Sequence, residues 1–187
     1  NRFLNFKRNN AVLEEKNRII QEERQRSENL LLNILPSSIA EELKTLGHAN
    51  TRRYDSVSVL FADFKNFTSI AEKLTPEELV SELDLCFRGF DKIMGKYGME
   101  KIKTIGDAYM CAGGLPDPYQ SNPTKVIQAA FEMQNFLEVL KAQRVREGKP
   151  FFEARIGIHT GPIIAGVVGE KKYAYDIWGD TVNTASR

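Results

Sequence analysis

Six residues, Val57-Ser-Val-Leu-Phe-Ala62, form an apolar run rich in β-branched and aromatic side chains, and the run stops on a carboxylate, Asp63. The pattern predicts a strand buried on both faces. Asn66 and Thr68 then open what reads as a helical turn, whose unpaired backbone N–H groups suit a phosphate. A carboxylate beside a phosphate repels it unless a cation lies between them. The pairing therefore points to Mg²⁺ and a nucleotide, because Mg²⁺ is held by one or two carboxylates together with substrate phosphates. Taken alone, an Asp after a strand is more often a turn residue or a helix cap.

Composition bounds the rest. At 187 residues, 42% hydrophobic and 27% charged, the chain has room for one substantial core. A formal net charge of +1 gives no global field for nucleic acid. No apolar run approaches the roughly 20 residues that span a bilayer, and no signal peptide is visible. Cys86 and Cys111 sit in apolar segments without metal-ligand spacing and read as reduced thiols of a cytoplasmic domain. His48 and His159 are the only histidines, which disfavours histidine-based zinc chemistry. The chain starts without Met inside one helical pattern and stops at Arg187 inside another, so it is read as a fragment of a longer protein.

Residues 1 to about 33 lack Gly and Pro and are dense in Glu, Arg, Gln and Asn. Phe6, Leu13, Ile20, Ser27 and Ile34 fall seven apart, and Phe3, Asn10, Asn17, Arg24 and Leu31 form the companion series. This heptad seam, with polar residues that weaken it but fix its register, predicts a parallel dimeric coiled coil; a single solvated helix is the alternative. Pro36 ends the segment, and a short helix is expected over Ile39–Leu46 with Ser37 or Ser38 as cap. The division expected is a coiled coil and short helix over 1–46 and a separate domain over 47–187, with the boundary near residues 47–54.

Thr75-Pro-Glu-Glu78 is a helix start with a capping box, and its apolar spacing runs up to Gly95 and Gly98. Lys101–Ile105 and Ala108–Ala112 read as strands around the hairpin dipeptide Gly106-Asp107. A long amphipathic helix is expected from about Thr124 to Glu147. Phe152–His159 and Ile163–Val168 read as two further strands, and Gly179-Asp180 starts a closing helix with Asp180 as cap. Strand, helix, strand, strand, helix, strand predicts an α+β, ferredoxin-like βαββαβ sheet of order 4-1-3-2 with helices on one face. Strands one and three are then antiparallel neighbours, and Asp63 meets Asp107 at one end of the sheet. Two carboxylates so placed are able to bridge two divalent ions for an in-line displacement at phosphorus.

At this point the sequence resembles a known family. Phe61-Ala-Asp-Phe-Lys-Asn-Phe-Thr68, Lys101-Ile-Lys-Thr-Ile-Gly-Asp-Ala-Tyr109 and Tyr175-Asp-Ile-Trp-Gly-Asp-Thr-Val-Asn-Thr-Ala-Ser-Arg187 look like the class III nucleotidyl cyclase catalytic domain, over about residues 54 to 187. Leu30 to Lys44 resembles the helical transducer that precedes this domain in bacterial and receptor-type members. The resemblance implies formation of a 3′,5′-cyclic nucleotide and pyrophosphate from a nucleoside triphosphate, at sites on a dimer interface. It implies two Mg²⁺ (or Mn²⁺) on Asp63 and Asp107, with the Phe64 carbonyl as a lesser ligand. Backbone amides of Asn66, Phe67 and Thr68 would hold the β- and γ-phosphates, and Lys171 matches a position that is often basic near them. Asn183 would orient the ribose, and Arg187 would stabilise charge on the transferred phosphorus; as i and i+4 they share a helix face.

Base choice follows from the same resemblance. Adenine-specific members are similar to this chain in having Lys at 103 and Asp at 176, where guanine-specific members carry Glu and Cys. Lys donates to adenine N1 and Asp accepts from the exocyclic amine, so ATP is the expected substrate. Asp180 departs from the Asn common in adenylyl members, and a later lysine of the family falls beyond Arg187. Both halves of the site lie in one chain, which implies a homodimer, with an upstream sensor or membrane domain in the full-length protein. The alternatives are a guanylyl or dual-specificity cyclase and a catalytically silent dimerisation module. A cyclic dinucleotide synthase would need a Gly-Gly-Asp/Glu-Glu-Phe turn, and Ile105-Gly-Asp-Ala-Tyr109 is not one.

Overall fold

The structure is a computed structural model that describes residues 2–169 and 172–187, with side chains of the first helix from Asn10 onward, Ala11 excepted. It divides into two units, residues 1–49 and 50–187.

The first unit holds α1 (Arg2–Leu32) and α2 (Ser37–Leu46). Of the heptad positions, Leu13 and Ile20 are exposed, while the side chains of Phe3 and Phe6 lie outside the described residues. Lys44 of α2 reaches back to Glu28 of α1 at 2.5 Å. The expected serine cap of α2 is not there. Pro36 occupies the N-cap (φ −54, ψ 144), which makes Ser37 and Ser38 the first helical residues, and Gly47 closes the helix in the left-handed region. Proline's fixed φ suits that entry without any side-chain hydrogen bond.

The second unit is built on β1 (Arg52–Phe64), α3 (Phe67–Ala71), α4 (Pro76–Tyr97), β2 (Glu100–Ile105), β3 (Ala108–Gly113), α5 (Pro123–Arg146), β4 (Ala154–Val168), β5 (Ala174–Trp178) and α6 (Asp180–Ser186). The sheet runs β2-β3-β1-β4-β5, so the expected four-strand order is present with one strand added at the β4 edge. All pairings are antiparallel.

Val57, Val59, Leu60 and Ala62 are buried, as a strand covered on both faces requires. Leu60, Ala62 and Phe64 join Phe90, Tyr109, Cys111, Met133 and Phe152 in one core, with α4 and α5 covering that face. Phe64 stacks on Phe152 at 4.7 Å and on Phe87 at 5.9 Å. The capping box of α4 is complete: Glu78 N donates to the Thr75 hydroxyl at 3.2 Å, and Thr75 N donates to the Glu78 carboxylate at 2.9 Å. Such a cap stabilises a helix by about 1 kcal/mol. Helix α5 begins at Pro123, with the Asn122 side chain accepting from Lys125 N at 3.0 Å.

Within this second unit four expectations need correction. β1 starts at Arg52 rather than Val57. The two strands expected over 152–159 and 163–168 are one, β4, running through Gly161-Pro162. The register explains it: β1 carries an extra residue between Tyr54 and Val57, opposite Pro162, so proline's missing N–H falls at a bulge. β5 was not anticipated; Gly166 and Asp176 face each other across its ladder with β4. Finally, α6 starts with Gly179 as cap and Asp180 as its first helical residue. This helix packs on the face of β4 opposite α5: Ile156 and Ile158 join the core beneath α5, whereas Gly157 and Gly161 meet α6. Among the described residues no helix is long and apolar enough to cross a membrane.

Candidate active site

Asp63, next to last in β1, lies directly opposite Ala108, the residue that follows Asp107. The hairpin holding Asp107 is tight: Ile105 pairs with Ala108, and the positive φ falls on Gly106 alone, as a type II′ turn has. The ladder thus brings the two acidic strand ends together, and both residues are half-buried. Phe64 is buried by its ring, so its carbonyl is the one group it offers to a ligand. Asn66 stands in the left-handed region (φ 53) and caps α3, which leaves the amides of Phe67 and Thr68 in the first turn without intrahelical acceptors. Phe67 is fixed there by stacking on Phe152 at 5.8 Å.

No group of three or more metal-ligating side chains occurs among the described residues. Two carboxylates and a carbonyl are a sparse donor set, and that suits Mg²⁺, which keeps its other positions for water and phosphate. The residues present therefore fit such an ion.

The sequence reading missed Arg155. On β4 it sits opposite Asp63, and its Nη2 donates to Asp63 Oδ2 at 2.7 Å. It extends the site by a guanidinium with five donors for carboxylate or phosphate oxygens. The one usable hint was its place in an alternating strand; nothing in its spacing from Asp63 marks it.

Lys103 and Asp176 belong to the two outermost strands, β2 and β5, yet Lys103 Nζ donates to Asp176 Oδ2 at 2.5 Å. The sheet therefore coils enough for its edges to meet through this pair. Asp176 is the more enclosed partner, with its side chain 15% exposed against 44% for Lys103. Its second oxygen accepts from Ile177 N at 2.9 Å, which fixes the carboxylate in place. Beside them Tyr175 is buried and its hydroxyl has no partner among the described residues; its neighbour Glu100 is pushed by burial up to about 7.

Asn183 lies on α6, and Arg187 caps its C-terminus; both are exposed. Two glycines bring α6 close to the sheet. A Cβ on Gly157 would run into the Ala185 carbonyl oxygen, and one on Gly161 would lie 2.6 Å from the Thr181 hydroxyl. Thr181 is buried and donates to the Pro162 carbonyl at 2.7 Å, pinning the first turn. Lys171 lies outside the described residues. A cleft of about 560 Å³ lined by Lys65, Asn66, Ser69, Lys73, Lys149 and Phe151 among others includes Asn66 and none of the other expected site residues.

Comparison with known proteins identifies the family. The adenylate and guanylate cyclase catalytic domain model matches residues 49–187. An adenylate cyclase of Mycobacterium tuberculosis is 43% identical over 170 residues, which cover 90% of this chain and 38% of that protein. The atrial natriuretic peptide receptor 2 of Homo sapiens is 38% identical over 94% of this chain and 17% of its own. Among solved structures, the adenylyl cyclase CyaB from P. aeruginosa superposes with a TM-score of 0.68 at 32% identity, covering 74% of this chain and 72% of that one. The chain thus spans well under half the length of the curated relatives it matches. With the family model covering the whole sheet and both acidic strand ends, this chain belongs to the adenylate and guanylate cyclase catalytic domain family.

Proposed function

We propose that this chain is the catalytic unit of an adenylyl cyclase, converting ATP to 3′,5′-cyclic AMP and pyrophosphate at the interface of a homodimer. The observation that carries the base choice is the Lys103–Asp176 pair at 2.5 Å. It sets one donor beside one acceptor, the complement of adenine's N1 and exocyclic amine. Guanine presents a donor at N1 and an acceptor at O6, so in the same orientation the lysine would face a donor and the carboxylate an acceptor.

Asp63, Asp107 and the Phe64 carbonyl are the residues that would hold two Mg²⁺ (or Mn²⁺). Bound there, such ions supply Lewis acidity that makes the 3′-hydroxyl more acidic and offsets phosphate charge. The protein's own residues do the rest. The amides of Asn66, Phe67 and Thr68, with Lys171, bind the β- and γ-phosphates. Asn183 orients the ribose so that O3′ lies in line with the α-phosphorus. The 3′-hydroxyl gives up its proton to water, the O3′–P bond forms, the bond from the α-phosphorus to the bridging oxygen breaks, and pyrophosphate leaves. Arg187 is placed to offset charge on the transferred group by charge-assisted hydrogen bonds.

Exposed apolar side chains at Ile105, Ile164, Val168 and Trp178 on β2, β4 and β5 support a second copy as partner. The exposed Leu13 and Ile20 of α1 support pairing of the N-terminal helices, through which a sensor or membrane domain in the longer protein regulates the cyclase. The test is product formation from ATP and GTP with Mn²⁺ by the purified full-length protein. ATP should be strongly preferred, and the double change Lys103→Glu with Asp176→Cys should move the preference toward GTP. Equal turnover of both nucleotides would identify a dual-specificity enzyme instead, and no turnover of either a silent dimerisation module.

A further inference from the structure

The β2–β3 hairpin answers to two registers that differ by one residue. At its turn Ile105 pairs with Ala108, Thr104 with Tyr109 and Lys103 with Met110. At its open end Lys101 pairs with Cys111 and Glu100 with Ala112. One extra residue, Ile102, is therefore accommodated in β2 as a bulge. In an unbroken strand Lys101 and Lys103 would share a face, because side chains alternate with a period of two. The bulge sends them to opposite faces. Lys103 goes to Asp176, and Lys101 goes to the helical face alongside Cys111 and Tyr109.

Asp91 of α4 waits on that helical face. One carboxylate oxygen accepts from the hydroxyl of the fully buried Tyr109 at 2.5 Å, and Lys101 Nζ lies 2.9 Å from the same oxygen. The Lys101 ammonium also stands 5.1 Å from the centroid of the Tyr109 ring. Asp91 thus holds one residue on each strand of the hairpin, and its hold on Lys101 requires the open-end register. Without it, the register set by the tight turn would run straight back, and Lys101 would sit opposite Ala112 on the face of Lys103. Two lysines would then compete for Asp176, and the local twist that aims Lys103 would be gone.

We infer that Asp91 is a positioning residue for purine selection: by tethering Lys101 and Tyr109 it holds the bulge at Ile102 that leaves Lys103 as the single lysine of β2 directed at Asp176. The inference rests on the reading of Lys103 as a purine contact. Asp91 itself touches no part of that pair.

The experiment measures kcat/KM for ATP and for GTP in the full-length protein carrying Asp91→Asn, Lys103→Ala, or Asp91→Asn with Lys101→Met. Asp91→Asn is expected to lower the ATP-to-GTP ratio about tenfold, chiefly through KM for ATP, with the Mg²⁺ dependence unchanged. The double variant should recover most of the ratio, because a methionine at 101 stays on the apolar helical face without a carboxylate to hold it. If Asp91→Asn slows ATP and GTP alike, or fails to fold while the double variant folds with an altered ratio, Asp91 serves stability alone and the inference is wrong. If Lys103→Ala keeps the parent ratio, the purine reading fails and takes the inference with it. If Lys103→Ala loses the ratio while Asp91→Asn keeps it, the purine reading stands and the positioning role falls.

Discussion

Arg155 and Asp63 stand directly opposite each other on β4 and β1, and the guanidinium donates to the carboxylate at 2.7 Å. A strand pair that places a cation on the carboxylate proposed to hold the metal gives that cation two uses. It neutralises Asp63, and it has donors to spare for the oxygens of a triphosphate.

Replacing Arg155 with Ala should therefore raise KM for ATP about tenfold, the loss of one charge-assisted contact of about 1.5 kcal/mol, with a smaller effect on kcat. Initial rates over a range of ATP at saturating Mg²⁺ check this. Arg155→Lys should recover part of the loss, since the charge returns without the fork.

Gly157 lets α6 rest on β4, and α6 carries Asn183 and leads into Arg187. Gly157→Ala should push the helix off the sheet by a fraction of an ångström to an ångström. A displacement of that size costs about 100-fold in kcat when it moves groups that act on the reacting atoms. ATP binding, read by calorimetry with a non-cyclisable analogue, should change much less than turnover.

How far these positions were legible in the sequence depended on whether the signal was local. The Thr75 capping box and the Gly106-Asp107 turn are written in adjacent residues and stand where the sequence placed them, and the Val57–Ala62 run is the buried part of the longer β1. The approach of Asp63 to the Asp107 turn followed from the order of elements alone. Pro162 misled because a proline looks like a strand break unless the bulge opposite it in β1 is known. Arg155, the Ile102 bulge and the meeting of Lys103 with Asp176 across the sheet's edges depend on register and curvature, which no single segment encodes. The roles proposed for Lys103 and Asp176 came from family resemblance, not from spacing.

Glu100 supplies a pH test. Its ordinary value of 4.5 applies to the unfolded chain, and burial raises it to about 7 in the fold. Between those values the unfolded chain has released a proton that the folded one still holds. The contribution to stability is thus fully present below about pH 4.5, declines as pH rises to about 7, and is flat beyond. Glu100→Gln should match the parent near pH 4.5 and exceed it by about 1–2 kcal/mol at pH 8, water having partial access to the group. Thermal unfolding at several pH values reads the difference; a constant offset between the two proteins would contradict it.

The proposed regulation through α1 has its own signature. Inserting three or four residues between Asn17 and Glu28 shifts the heptad seam out of phase, whereas inserting seven restores it. Cyclase activity of the full-length protein should change several-fold with the first kind of insertion and little with the second. Insensitivity to phase would disconnect the helix from the catalytic unit.

The claim on which the account turns is that the acidic pair of one copy works with the α6 residues of the other. Mixing an Asp63→Ala variant with an Arg187→Ala variant, under conditions where subunits exchange, measures this directly. Each variant alone should be almost inactive, and the mixture should regain about one quarter of parent activity, because half of the dimers are mixed and each mixed dimer holds one intact site. A mixture that forms heterodimers yet stays as inactive as its parts would place the whole reaction within single chains and contradict the account.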